Sequence, residues 1–451
     1  MKKILFIHFR SGERDGVSLE MEKRERVLTQ MGHEVHFLTG YDPRAGKSNR
    51  IHLLPQLDVK RRMAAFLRET FFEEKILDSH LAWLLYQSEE EKIYRQTLKV
   101  LKTVKPDLIY IHNILSLALH LPASSGILKA LDHFPTKVIA VHHDFFWERE
   151  QYAKPRYDFI QHTLDALPPR RDYILEHQVI NGLAYESLKA KRGIEAHQIS
   201  GDYIDFDSSV ASAIDTYNSD FRTYFGIDKH DILILHATRI VQRKAIENAI
   251  LYAHHLQKAL TKSAPFTFNG RPITKDSRVV LVLPNFIEAD EQVYFRKLKH
   301  YAEKLGVRFL WIAEHIGLTR KTTNGIKIYS FWDCYPHADL VTYTSYLEGF
   351  GNQLLESFWA KKPLIVFEYP VFKATIKKEG YQVITLGDKM KSRKDFKLVQ
   401  RERIASAAKE TLNLLQNEQR YREMIETNYR IAQQNHHISH LRADLQLALD
   451  Q

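Results

Sequence analysis

Residues 344–358 read "TSYLEGFGNQLLESF", and this stretch decides the fold. The apolar run "DLVTY" (339–343) precedes it, and the periodic run "QLLESFWA" (353–360) follows. A strand, a glycine-bearing turn and a helix in immediate succession are the repeating unit of a parallel α/β sheet. Glu348 and Glu356 stand on either side of the Gly349-Phe350-Gly351 turn. Asn352 is expected to cap the helix, leaving the amides of Phe350, Gly351 and Asn352 at its positive end. Such an end suits phosphate. Glu356, one turn further in, can accept from a ribose diol, while Glu348 faces sugar hydroxyls or a reacting centre. Both are equally compatible with acids placed at a helix start on electrostatic grounds.

The same alternation extends in both directions. "KILFIHF" (3–9), "HEVHFLTG" (33–40), "DLIYIHN" (107–113) and "KVIAVHHD" (137–144) read as strands in the first half. "DILILHATR" (231–239), "RVVLVLPN" (278–285), "VRFLWIA" (307–313), "KIYSF" (327–331), "DLVTYTS" (339–345) and "PLIVFEY" (363–369) follow in the second. Among the intervening helices, "LEMEKRERVLTQMG" (19–32) is expected to turn Leu19, Val27, Leu28 and Met31 to one face and stop at Gly32. A chain of 451 residues is too long for one ordinary core. The reading is two doubly wound, Rossmann-like parallel-sheet domains facing a central cleft: residues 1–205, then 206–420, with C-terminal helices over 421–451 that can cross back to the first domain. The junction is placed in the polar "GDYIDFDSSVASAIDTYNSD" (201–220).

Composition narrows the class. With 44% hydrophobic and 27% charged residues the chain is globular, and it has no run of about 18 apolar residues to span a membrane. The start "MKKILFIHFRSGERDG" reads as a buried strand rather than a leader. A single cysteine, Cys334, excludes an internal disulfide and a cysteine-based zinc site, and fits a cytoplasmic protein. The net charge of +10 draws anions. No basic stripe interleaved with aromatics occurs, so nucleic acid is not the expected partner. The segment "VKRRMAAFLRETFFEEKIL" (59–77) has the pattern of an amphipathic helix, suited either to packing on its own domain or to an anionic membrane surface.

Ligands of open α/β sheets bind at the carboxyl ends of the strands. In "RSGERDGVSLE" (10–20) Gly16 opens a helix whose amides can meet an anion or a sugar hydroxyl. "KVIAVHHD" ends in His142, His143 and Asp144. Neighbours on a strand face opposite ways, so one histidine, His143, is expected at the ligand, with Asp144 beside it. Past "DILILH", Arg239 and Lys244 supply two cations for a diphosphate.

"EGFGNQLLE" (348–356) resembles the signature of family 4 retaining glycosyltransferases of the GT-B fold. "TRIVQRK" (238–244) is similar to their diphosphate-binding segment, "YIDFDSS" (203–209) to their linker strand, and residues 14–40 to their first loop, helix and second strand. The resemblance implies that Glu356 binds the ribose and that Arg239 and Lys244 hold the diphosphate. It also implies that Glu348 meets the donor sugar and that His143 lies close to that sugar. The sequence departs from the pattern twice: "RDGV" stands where a Gly-Gly pair is frequent, and "QRKA" lacks the glycine that often follows the lysine.

The expected activity is transfer of a hexose, with retention, from a nucleotide diphosphate sugar of UDP-glucose or GDP-mannose type. The acceptor is a hydroxyl on a small molecule, a glycan or a lipid-linked glycan. The catalytic set is His143, Glu348, Arg239 and Lys244, and no cofactor or metal is expected. The donor is held by Gly16, Arg239, Lys244, Glu348, Gly349, Phe350, Gly351, Asn352 and Glu356, and the acceptor by Gly16, His143 and Asp144. The lone Asp-x-Asp, Asp205 to Asp207, sits in the linker, where a manganese site would point to a different fold. A sugar phosphorylase or nucleotide-sugar epimerase on the same architecture, and a non-catalytic sugar-nucleotide-binding subunit, are the alternatives.

Overall fold

The computed structural model describes residues 1–13, 15–170, 175–208, 213–323 and 325–450; Arg14 of the first loop and Ser209 of the linker lie outside them. The chain forms two compact units, Met1–Asp202 with Ser439–Gln451, and Tyr203–Ile438. Each is a parallel sheet with helices, of Rossmann type.

In the first unit the strands are β1 (Lys3–His8), β2 (Glu34–Thr39), β3 (Ile51–Leu53), β4 (Leu108–His112), β5 (Lys137–His142), β6 (Leu175–Val179) and β7 (Gln198–Ile199). Among the described residues they pair in the order β3-β2-β1-β4-β5-β6-β7, all parallel. Leu5, Ile7, Ile109, Ile111 and Ala140 are fully buried, as expected for a sheet covered on both faces. The strands β3, β6 and β7 escape the sequence reading because they are short or carry His, Gln and Glu.

Helix α1 (Gly16–Gln30) corrects one expectation. Leu19 is exposed, and the buried side carries Met21, Val27 and Leu28 together with the ionic residues Glu20 and Arg24. Helix α2 (Arg62–Phe72) spends its apolar face on its own domain: Leu67, Phe71 and Phe72 are buried with Tyr86, Tyr152 and Ile160. Helices α3 (Ser79–Val104) and α4 (Leu121–Leu131) pack closely. Gly126 permits this, because a Cβ there would stand 2.7 Å from the Glu90 carbonyl oxygen and 3.1 Å from Ile93 Cβ.

The second unit holds β8 (Ile232–Leu235), β9 (Val279–Leu283), β10 (Arg308–Trp311), β11 (Leu340–Tyr343), β12 (Leu364–Val366) and β13 (Ile384–Thr385). Their order, again all parallel among the described residues, is β10-β9-β8-β11-β12-β13. The expected strand at "KIYSF" exists as Ile326–Ser330, but it belongs to a separate three-stranded sheet. Helices α5 (Ile246–Leu260), α6 (Asn352–Trp359) and α7 (Arg401–Leu415) pack on the main sheet, and α8 (Glu418–His436) packs on α6 and α7.

The observed division differs from the expected one. The first crossing falls at Asp202/Tyr203, and the return to the first unit falls at Ile438/Ser439 rather than at 420. Helix α8 stays with the second unit because it packs on α6 and α7, burying Tyr421, Met424 and Ala432. Only α9 (Ile438–Asp450) returns; Asp444 accepts from Ser200 Oγ at 2.8 Å.

Because α3 and α4 meet at a glycine, Gly126→Ala is expected to force the Glu90 carbonyl and Ile93 of α3 away from α4 and cost ~1–3 kcal/mol. A urea midpoint lowered at unchanged slope is the expected readout.

Candidate active site

The carboxyl ends of β8 and β11 are tied together before any ligand is considered. His236 Nδ1 lies 3.0 Å from Thr342 Oγ1, and its Nε2 lies 2.9 Å from Thr238 Oγ1. Burial pulls the His236 imidazole down to about 3, so it is a neutral structural link. Beyond β8 the chain makes a short 3₁₀ turn, Gln242–Lys244, and Ala245 then takes a left-handed conformation with φ +46°. This explains the missing glycine in "QRKA": a fully buried alanine adopts the geometry glycine would. The turn is held by Thr344 Oγ1, which donates to the Lys244 and Ala245 carbonyls at 2.9 and 3.0 Å.

That turn presents Arg243 and Lys244 to the loop after β11. Arg243 Nη1 donates to Glu348 Oε2 at 2.8 Å and to the Leu347 carbonyl at 2.9 Å. Lys244 Nζ donates to Glu348 Oε1 and lies 5.5 Å from the centroid of the Tyr343 ring. Burial favours the neutral form of Glu348, yet Lys244 and Arg243 outweigh it and hold the carboxyl at about 2. Burial likewise draws Lys244 down to about 8, with Glu348 opposing the fall and Arg243 and Arg239 adding to it. The cluster thus carries a carboxylate between two cations, with a third cation close by.

Arg239 is turned onto Glu288, with which it forms an ion pair. Arg239, Lys244 and Glu348 therefore gather at the ends of β8 and β11, each cation neutralised by a carboxylate of the same unit. Arg243 and Glu288 were not singled out in the sequence. The Arg-Lys doublet in "VQRK" was the available signal for the first, and "NFIEADEQ" offered none for the second.

The glycine turn has its own constraint. Gly351 sits at φ +148°, and a Cβ there would stand 2.5 Å from the Tyr369 hydroxyl, which donates to the Phe350 carbonyl. The expected cap is corrected here. Gly351, not Asn352, is the capping residue; Asn352 begins α6, and no side chain caps it. The amides at this end of α6 are consequently not covered by a capping side chain. Gln353 Nε2 donates to the Ala237 carbonyl at 2.7 Å, pinning α6 to the end of β8. One turn on, Glu356 Oε2 accepts from the Tyr335 hydroxyl at 2.6 Å. Tyr335 is wholly buried, so Glu356 is fixed from beneath.

In the first unit the loop after β1 differs from its expected role. Asp15, the residue before Gly16, caps α1: its Oδ1 accepts from the Val17 and Ser18 amides at 3.1 and 3.2 Å. The helix end expected to meet a ligand through Gly16 is occupied by the chain's own carboxylate, and Asp15 also pairs with Arg10. Gly16 itself is open, with nothing within 4 Å of a built Cβ. At the end of β5 the two histidines do face opposite ways. His142 Nε2 meets His177 Nδ1 at 2.9 Å, and His143 Nε2 meets His112 Nδ1 at 3.1 Å. Asp144 is turned outward onto Arg149 at 2.6 Å, where both side chains are 38% exposed. It stays close enough to His143 for its charge to oppose the fall in that ring's proton affinity.

Asp205 and Asp207 do come together, with His437: their ligand-type atoms lie within 4.8 Å of one another. No other such trio occurs among the described residues. His437 Nε2 and Asp207 Oδ2 are 3.2 Å apart, a contact that joins the linker to the end of α8.

Residues 219–430, which carry the Lys244–Glu348 cluster and α6, match the family described as glycosyl transferases group 1. The chain is 35% identical over 419 residues to mannosylglucosylglycerate synthase of Petrotoga mobilis, covering 92% of this chain and 93% of that one. It is 34% identical over 445 residues to the enzyme of the same name from Thermotoga maritima, covering 97% of each. The chain belongs to the group 1 glycosyltransferases. Its fold is shared with Anabaena HepE, solved in complex with UDP and glucose, at a TM-score of 0.62 and 14% identity over the full length of both chains. The two Rossmann-like domains are thus of the GT-B kind.

A phosphate ligand at this cluster needs Lys244 protonated. With the Lys244 ammonium at about 8 in the free protein, affinity for a nucleoside diphosphate is expected to fall about tenfold between pH 7 and pH 9. Calorimetric titration checks this, and Lys244→Met should flatten the dependence.

Proposed function

We propose that the protein moves a mannosyl unit from a nucleoside diphosphate mannose to a glucosylglycerate acceptor. The transfer retains the anomeric configuration and requires no metal. The observation that carries this reading is the Arg243–Lys244–Glu348 cluster beside an α6 N-terminus that no side chain caps. The names of two relatives, each matched over more than nine-tenths of the chain, supply the sugar and the acceptor. Of the two donor types compatible with the sequence, GDP-mannose is accordingly favoured over UDP-glucose.

Cleavage of the anomeric bond places negative charge on the departing diphosphate. Arg239, Arg243 and Lys244, with the amides of Gly351 and Asn352, are the groups whose hold strengthens as that charge grows. Removing one such group typically costs ~3–4 kcal/mol of transition-state stabilisation. On diphosphate binding, Glu348 gives up Lys244 and Arg243 and turns to the donor sugar, while Glu356, braced by Tyr335, takes the ribose hydroxyls. No carboxylate is offered as a covalent nucleophile. Attack comes from the face the diphosphate leaves, and the leaving phosphate takes the acceptor proton. The three cations supply the neutralisation that a metal would otherwise give. We place the reaction in the cytoplasm, where a lone, buried and free Cys334 is the usual pattern. No helix among the described residues is long and apolar enough to cross a membrane.

The test is an assay with GDP-mannose, UDP-glucose and glucosylglycerate, with and without EDTA, reading the product by proton NMR. The expected product carries an α-mannosyl linkage, forms from GDP-mannose, and forms at an unchanged rate with chelator. A β-linked product contradicts retention. Loss of activity restored by Mn²⁺ contradicts the metal-free step, and absence of any mannosyl product contradicts the substrate assignment.

A further inference from the structure

Three histidines meet at the carboxyl ends of β1, β4 and β5 in the first unit, and the protons on their rings can be placed from their partners. His8 Nδ1 lies 2.7 Å from the His112 carbonyl oxygen. A carbonyl only accepts, so His8 carries its proton on Nδ1. Next, His112 Nδ1 lies 3.1 Å from His143 Nε2, with ring centroids 5.4 Å apart and planes inclined by 28°, a geometry suited to an in-plane N–H···N bond. One proton occupies that contact, and its owner decides what the far side of each ring presents.

Burial lowers the affinity of both rings for a second proton, and for His112 strongly so. Each ring is therefore neutral near pH 7 and has one N–H. If His143 owned the shared proton, His112 would carry its own on Nε2. That atom is buried and has no hydrogen-bond partner among the described residues. A buried N–H without an acceptor is among the least tolerated arrangements in proteins, and an unmet acceptor is borne more readily. The proton thus belongs to His112 Nδ1. His143 accepts it on Nε2 and carries its own proton on Nδ1.

The surroundings hold this arrangement rigid. His112 is 0% exposed. The His143 amide donates to Asn113 Oδ1 at 2.8 Å, and Asn113 is itself in the left-handed region at φ +57° with its amide on the Val141 carbonyl. His143, only half-buried, is the open end of the chain of rings, at the strand end where ligands of such sheets bind.

We propose that His112 is a positioning residue that fixes His143 as the Nδ1–H tautomer, so that His143 donates a hydrogen bond to a substrate oxygen and does not act as the base that deprotonates the acceptor. This rests on the glycosyl-transfer reading for its catalytic consequence only. It agrees with a reaction in which the leaving phosphate takes the proton, because a ring protonated on Nδ1, with Nε2 occupied by His112, has no lone pair to offer.

The test uses the full chain labelled with ¹⁵N. Long-range ¹H–¹⁵N correlation at pH 7.5 reports which nitrogen of each imidazole is protonated, and His143→Gln identifies the His143 signals by their loss. The expected spectrum shows His143 protonated on Nδ1 and bare on Nε2. His112→Phe should abolish that preference and lower kcat about tenfold, the usual worth of one hydrogen bond, with KM for GDP-mannose changed less than about twofold. His112→Asn, whose amide can donate from near the same point, should keep the tautomer and most of the turnover. A proton on His143 Nε2 in the unsubstituted protein overturns the proposal, as does an unchanged spectrum in His112→Phe. Should GDP-mannose prove not to be the donor, the spectra still decide the tautomer, so the two failures are distinguishable.

Discussion

An ammonium group cannot be buried without a partner, and in this protein that requirement joins two loops into a site. Lys244 is nearly inaccessible, and its pairing with Glu348 spans 104 positions of sequence. The pair costs desolvation of both charges, and its attraction repays this only because Arg243 satisfies the second carboxylate oxygen of Glu348. A buried pair of this kind is weak evidence of stability. Under the function proposed here it is a binding device, with a carboxylate of the chain holding the place of an anionic ligand.

The same economy recurs wherever the strands end. Asp15 covers the start of α1, Glu288 holds Arg239, and Asp144 is matched with Arg149. Each of these charges thus has a partner within its own unit. The turn before α6, like that before α5, has no N-cap side chain. There Gly351 leaves the helix without a capping side chain, and the Tyr369 hydroxyl fills the space in which any Cβ would sit. Backbone shape, not side-chain charge, keeps that position open.

Much of this was legible in the sequence because strong patterns wrote it. Strands such as "ILIL" and "VVLVL" are continuous apolar runs, and the glutamates around "GFG" stand out against them. The short strands β3, β6 and β7 were missed because pairing, not composition, makes them strands. The segment "KIYSF" was placed in the wrong sheet because periodicity fixes a strand's faces and says nothing of its neighbours. Glu288 and Tyr335 lie 49 and 21 positions from their partners Arg239 and Glu356, a separation no local pattern reports. Asn352 was expected to cap α6 on residue preference alone, and the φ of Gly351 shows how a glycine pre-empts that role. In the first unit, Gly16 was read as the ligand-facing residue, whereas Asp15 beside it had already taken the helix end.

The central claim is that Glu348 occupies, in the free protein, the place of a diphosphate. A crystal structure with a bound nucleoside diphosphate tests it directly. Phosphate oxygens should lie within hydrogen-bonding distance of Lys244 Nζ and the Arg243 guanidinium, with Glu348 swung away from both. A complex in which the nucleotide sits elsewhere while the Lys244–Glu348 contact survives would contradict the account.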